Sequence, residues 1–103
     1  MVEVRRTKAF IEFLDDLRDL RARTLIVQRV VRLSQGNPGD VASVGDGISE
    51  LRIHHGPGYR VYYIQRGEVL IVLLCGGDKK SQSRDIKLAK ELVKRLEIDP
   101  WPN

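Results

Sequence analysis

One cysteine, one tryptophan and six aromatic residues in all leave this 103-residue sequence short of several familiar chemistries. A lone Cys75 cannot close an internal disulfide, and with only two histidines, adjacent at His54 and His55, no zinc-type ligand spacing exists. Cys75 ends an apolar run and reads as a buried structural thiol with no catalytic role. That run, Val69 to Cys75, is the longest in the sequence. It is far shorter than the roughly 20 apolar residues that span a bilayer. The opening stretch MVEVRRTKAF has no apolar core of a secretion signal, so a cytoplasmic protein without a membrane partner is expected. There is no HExxH, no acidic metal cluster, no GxxxxGK[ST] loop, and no Ser or Cys paired with His and an acid at a suggestive spacing. Metal and cofactor sites are accordingly not expected, and neither nucleoside triphosphate binding nor triad hydrolysis is supported.

What is present suits one small globular domain. Apolar residues make up 42% and charged residues 31%, with no repeat, low-complexity stretch or linker. A single domain over residues 1–97 and a tail over 98–103, including Trp101 as a loose cap, is the expected organisation. The net charge of +4 is unevenly spread. Between Arg52 and Lys90 eight positive residues face three negative ones, whereas the remainder carries ten against eleven. A polyanion-binding surface built by the second half of the chain follows as an expectation.

Val2 to Arg6 alternates as a short strand, and Thr7 is placed to cap a helix carrying Phe10, Phe13, Leu14 and Leu17 on one side. A second helix, about Asp19 to Ser34, repeats the pattern with Ala22, Ile26, Val30 and Leu33, and Gly36-Asn37-Pro38-Gly39 stops it. A polar loop runs to Gly47. The period then changes to two: Ile48–His55 and Tyr59–Gln65 read as strands joined by Gly56-Pro57-Gly58, and Arg66-Gly67 turns into Val69–Cys75. That last strand, apolar on both faces, should be covered on both sides. A final helix carries Ile86, Ala89, Leu92, Val93 and Leu96 inward. The expected fold is α+β, in the order β-α-α-β-β-β-α, with a small twisted, mainly antiparallel sheet and helices packed on it.

Alternation along Ile48–His55 places Glu50, Arg52 and His54 on the face away from Leu51 and Ile53, which projects a basic pair from the side opposite the core. Arg60 lies beside that pair on the next strand. The loop Gly77-Asp78-Lys79-Lys80-Ser81-Gln82 brings two lysines to the same end of the sheet and offers backbone N–H groups at a helix start. Asp78 and Asp85 read as local salt-bridge or capping partners. Like charges gathered without matching acids cost stability unless an anion joins them, which favours a phosphate site. A basic site of this kind fits RNA cleavage by the substrate's own 2′-hydroxyl. That reaction needs a base, a cation at the developing phosphorane, and an acid for the leaving 5′-oxygen.

Three segments carry a family resemblance: ELR at Glu50–Arg52, GPGYRVYY at Gly56–Tyr63, and LLCGGDKKSQSRDI at Leu73–Ile86. With the element order over about residues 1–97, they resemble HigB-like addiction module killer toxins of the RelE/ParE superfamily. The resemblance implies a type II toxin with a small helix-turn-helix antitoxin encoded nearby, and a ribosome-dependent mRNA endonuclease (mRNA interferase) that inhibits translation, with ribosome and mRNA as partners. By position it implies working roles for Arg52, His54, Arg60, Lys79 and Lys80; catalysis is assigned to His54, Arg60, Lys79 and Lys80, and RNA contacts to Arg52, Tyr62, Gln82 and Arg84. His54, or a lysine, is the candidate base, its pKa lowered toward neutrality by neighbouring cations; Arg60 and Lys79 are assigned to the scissile phosphate. The sequence departs from the family's pattern at Arg84–Ile86, where neither Tyr nor His is found, so base stacking either falls to Tyr62 or is missing. Two other readings share the fold: a ParE-like DNA gyrase inhibitor, and an RNA- or ribosome-binding domain without catalysis.

Overall fold

The computed structural model describes residues 2–98, so Trp101 and the rest of the expected tail from residue 99 onward lie outside it. The order is β1 (Glu3–Arg6), α1 (Lys8–Asp16), α2 (Leu20–Ser34), β2 (Val41–Gly45), β3 (Ile48–Ile53), β4 (Tyr59–Arg66), β5 (Leu70–Gly77) and α3 (Gln82–Ile98). Both hairpin helices start at side-chain caps. Thr7 Oγ1 accepts from the Phe10 amide at 3.1 Å, and Asp19 Oδ1 accepts from the Arg21 and Ala22 amides at 3.0 and 3.2 Å. Each oxygen satisfies donors that have no partner inside the first helical turn.

The five strands lie in the order β1-β5-β4-β3-β2, with β1 parallel to β5 and the other three pairings antiparallel. The fold is α+β, as expected, with one correction to the element order. The segment read as a polar loop to Gly47 contains β2, which pairs Val41 with Leu51 and Ser43 with Ser49 before the register shifts at Gly45. Only one or two of its side chains need shelter at the sheet's edge, so the alternation that marks a strand is faint there.

Each face of the sheet is covered. Leu51, Ile53, Val61, Tyr63, Ile71 and Leu73 pack with Phe10 of α1 and Ile26 and Leu33 of α2. Ile48, Tyr62, Ile64, Val72, Leu74 and Cys75 pack with Ala89 and Val93 of α3. β5 is an interior strand buried on both sides, which its unbroken apolar run had indicated. It ends in Gly76-Gly77 for a steric reason: a Cβ on Gly76 would enter the Phe13 ring, and one on Gly77 would overlap the Asp85 carboxylate and the Ser81 hydroxyl. That missing side chain lets the first turn of α3 press against the sheet.

A half-buried polar tie joins α2 to the sheet. Arg29 of α2 donates from Nη1 to the Arg52 carbonyl at 2.6 Å and from Nη2 to the carbonyls of Pro38 and Asp40 at 2.8 and 3.2 Å. The Asp40 carbonyl also accepts the Arg52 amide at 3.0 Å. The loop before β2 is thereby stapled to the end of β3. Among the described residues no helix is long and apolar enough to cross a membrane.

Candidate phosphate-binding site

The connection from β3 to β4 needs two left-handed turns, supplied by Gly56 (φ 56°) and Gly58 (φ 81°). It curls over an open cavity of about 430 Å³ walled by Arg52, His54, His55, Tyr59, Arg60 and Lys79. Arg52 and Arg60 sit at paired positions on β3 and β4, and Lys79 comes from the loop after β5. Three fixed cations and two imidazoles thus line one concavity.

The cations are not without acids, contrary to the expectation. Glu50, read as a solvent-side residue, is fully buried because α3 covers that face. Its Oε1 accepts from Arg52 Nε at 2.9 Å and stands 3.4 Å from Arg60 Nε, while its Oε2 accepts from Gln82 Nε2 at 2.7 Å. Burial by itself would push the Glu50 carboxyl up. The hydrogen bonds from Arg52 and Gln82, with the charges of Arg60 and Arg52, outweigh it and hold the group below its ordinary 4.5. The same contacts hold the Arg52 guanidinium above its usual value, the bond to Glu50 foremost. The face opposite the α1 and α2 layer is therefore a second core over most of its length, and opens only at the Arg52 and His54 end.

His54 is exposed and does not stand among cations alone. Its Nε2 meets Asp40 Oδ2 at 2.5 Å. An ionised carboxylate only accepts, so Nε2 carries the proton and Nδ1 of the neutral ring is the basic atom. The His54 bond, more than the nearby Arg52 charge, holds the Asp40 carboxyl below its ordinary 3.8. His55 makes the matching pair with Asp19 Oδ2 at 2.8 Å, using the oxygen left over from the α2 cap. Two histidines thus tether the loop to two different elements through two aspartates.

Residues 12–95 match the family described as phage derived protein Gp49-like (DUF891). The chain belongs to this family. It is a toxin–antitoxin-related, RelE-like family, and membership implies a cognate antitoxin as partner. A Haemophilus influenzae protein described as "Uncharacterized protein" is 50% identical over 95 residues, which cover 92% of this chain and 96% of that one.

In this Gp49-like protein the cavity brings together four of the expected residues: Arg52, His54, Arg60 and Lys79. The other four are placed elsewhere. Lys80 lies outside the cavity, and its amide, with that of Ser81, is taken by Asp78 Oδ1 at 2.9 and 3.1 Å, so these N–H groups are not offered to an anion. Arg84 lines a neighbouring cavity with Asp78, Ser81 and Asp85, with Tyr59 as the shared wall. Gln82 serves Glu50. Tyr62 is fully buried and cannot stack on a base. Its hydroxyl, pushed up by burial and then by the Glu50 charge, makes no hydrogen bond of ordinary geometry. Tyr59, half-exposed, is the aromatic ring in the cavity wall. Sequence reasoning passed over Glu50, Asp40, Arg29, His55 and Tyr59. Only Glu50 carried a signal, a carboxylate two residues from an arginine on the same strand face.

Proposed function

We propose that this protein is the HigB-like toxin of a type II module and an endoribonuclease that cuts ribosome-bound mRNA. The observation that supports this most is the gathering of Arg52, Arg60, Lys79 and a carboxylate-oriented His54 around one open concavity. His54 Nδ1 takes the proton of the 2′-hydroxyl, and the freed oxygen attacks the adjacent phosphorus. The bond to the 5′-oxygen breaks, and the Lys79 ammonium protonates that oxygen, leaving a 2′,3′-cyclic phosphate and a 5′-hydroxyl. Arg52 and Arg60 neutralise the phosphorane, to which a forked guanidinium is well matched. Asp40 orients the imidazole and stabilises its charged form, as a carboxylate does beside a catalytic histidine. Tyr59 stacks on a base next to the cut, and Lys80 and Arg84 contribute long-range attraction to the RNA.

Primer extension on mRNA in a translating extract tests the reading. The wild-type chain should produce A-site cuts, and Arg60→Ala should reduce their rate about a hundredfold, equivalent to about 3 kcal/mol of transition-state stabilisation. Undiminished cutting by the variant would remove Arg60 from the mechanism. Induction of DNA damage without cuts would favour gyrase as the target, and salt-sensitive RNA binding without product would favour a non-catalytic domain.

A further inference from the structure

Glu50 makes an unusual bargain for an 11.8 kDa protein: a carboxylate with 1% side-chain exposure in a small core. Burying an ion group stabilises a fold no better than apolar residues of similar volume, so stability does not account for its presence. Its geometry gives another reason. Arg52 and Arg60 are direct cross-strand partners, and like charges in that position repel. Glu50 Oε1 accepts a hydrogen bond from Arg52 Nε at 2.9 Å and stands 3.4 Å from Arg60 Nε, a buried atom with no hydrogen bond among the described residues that is held to the carboxylate by charge alone. Arg60 Nη1 is spent on the Gly58 carbonyl at 3.0 Å, and Arg52 Nη1 stands 3.7 Å from Asp40. Among the described residues neither Nη2 has a hydrogen-bond partner, and both arginines line the cavity. From the other side Gln82 of α3 holds Oε2 and fixes the carboxylate's angle.

We propose that Glu50 is a positioning residue, a buried carboxylate that holds the guanidinium groups of Arg52 and Arg60 side by side by their inner nitrogens and presents their outer nitrogens to one phosphate. This rests on the phosphate-site reading above. It carries a signature that a merely structural role lacks. Glu50→Gln adds one unit of positive charge to the site while releasing both arginines, so attraction for RNA holds or rises while turnover falls.

Two measurements on the full chain test it. In side-chain ¹H–¹⁵N spectra, the Nε–H signals of Arg52 and Arg60 should be separate and slow to exchange in the wild type and should collapse to fast exchange in Glu50→Gln. In single-turnover cleavage of ribosome-bound mRNA, Glu50→Gln should lose about a hundredfold in rate, the scale of a misplacement near 1 Å, with an unchanged or lower half-saturating concentration. Glu50→Asp keeps the charge but withdraws it by one methylene and should remain slow. Arginine signals that persist in folded Glu50→Gln overturn the proposal, as does a loss confined to the active fraction with an unchanged rate per folded molecule. Should Glu50→Gln not fold, Glu50→Asp replaces it, and wild-type signals together with a wild-type rate there overturn the proposal. If the wild type makes no cuts, the endonuclease reading fails and the arginine signals alone decide the role of Glu50.

Discussion

Replacing Arg29 should weaken the protein from a distance and disturb its site at the same time. Arg29→Met keeps most of the apolar stem against the sheet but removes three donated hydrogen bonds, to the carbonyls of Arg52, Pro38 and Asp40. The Asp40 carbonyl keeps the Arg52 amide, so two acceptors are left unpaired, those of Arg52 and Pro38. At about 1.5 kcal/mol for each half-buried acceptor, the loss comes to about 3 kcal/mol. With a urea slope of about 1.5 kcal/mol per molar for a domain of this size, the unfolding midpoint should fall by about 2 M. Arg29→Lys should recover at most half of that, because one ammonium cannot span carbonyls on two segments. A midpoint shift below about 0.5 M for Arg29→Met would refute the view that this residue staples the loop to β3. The same loop carries Asp40, so in the folded variant at low urea His54 should lose its fixed partner and cleavage should fall while the fold persists.

Gly77→Ala should lower the melting temperature by about 10 °C, through about 2 kcal/mol of overpacking where the new methyl meets Asp85 and Ser81, and calorimetry reads it directly. Acid should destabilise the chain with a defined sign. Asp40, Asp19 and Glu50 all have folded values held below their unfolded ones, so their contribution is full above those unfolded values. It declines as pH falls through 4.5 and 3.8 toward the folded values. Urea midpoints measured between pH 6 and pH 3 should show that decline, and Asp40→Asn should flatten it. Cys75, pushed up to about 12 by burial and then by the Asp85 charge, should resist iodoacetamide at pH 8, where its thiolate fraction is on the order of 10⁻⁴. Full labelling of the folded chain within minutes would contradict its placement.

Periodicity made most of the fold legible, and it failed where burial is one-sided or lent by a distant segment. The expected start at Asp19 is the α2 cap itself, and the Tyr59 strand begins where expected. β2 escaped because VASVG lies on an edge and ends in a bulge beside Gly45-Asp46-Gly47. At the site, cations declare themselves in a sequence and their acids do not. Arg52, Arg60 and Lys79 stand out by charge, whereas Glu50 belongs to them only because α3, more than thirty residues on, roofs that face and delivers Gln82. Asp40 reaches His54 across a loop whose course depends on Arg29, a contact with no local pattern. Tyr62 was misassigned for the related reason that alternation gives the face of a residue and not its cover.

The parallel seat of β1 beside β5 sets a timetable for synthesis. Glu3 pairs with Leu70, and the Glu3 amide donates to the Val69 carbonyl at 2.7 Å. A ribosome adding 5–20 residues per second makes the first strand several seconds before its partner exists. Until then α1 lacks the strand it packs on, although α2 can already lie on β3 and β4. The cavity waits longer still, for Lys79 and for the Gln82 that holds Glu50. The cavity is thus incomplete until Gln82 has been translated, and a chain cut short before α3 leaves the Glu50 face of its sheet bare.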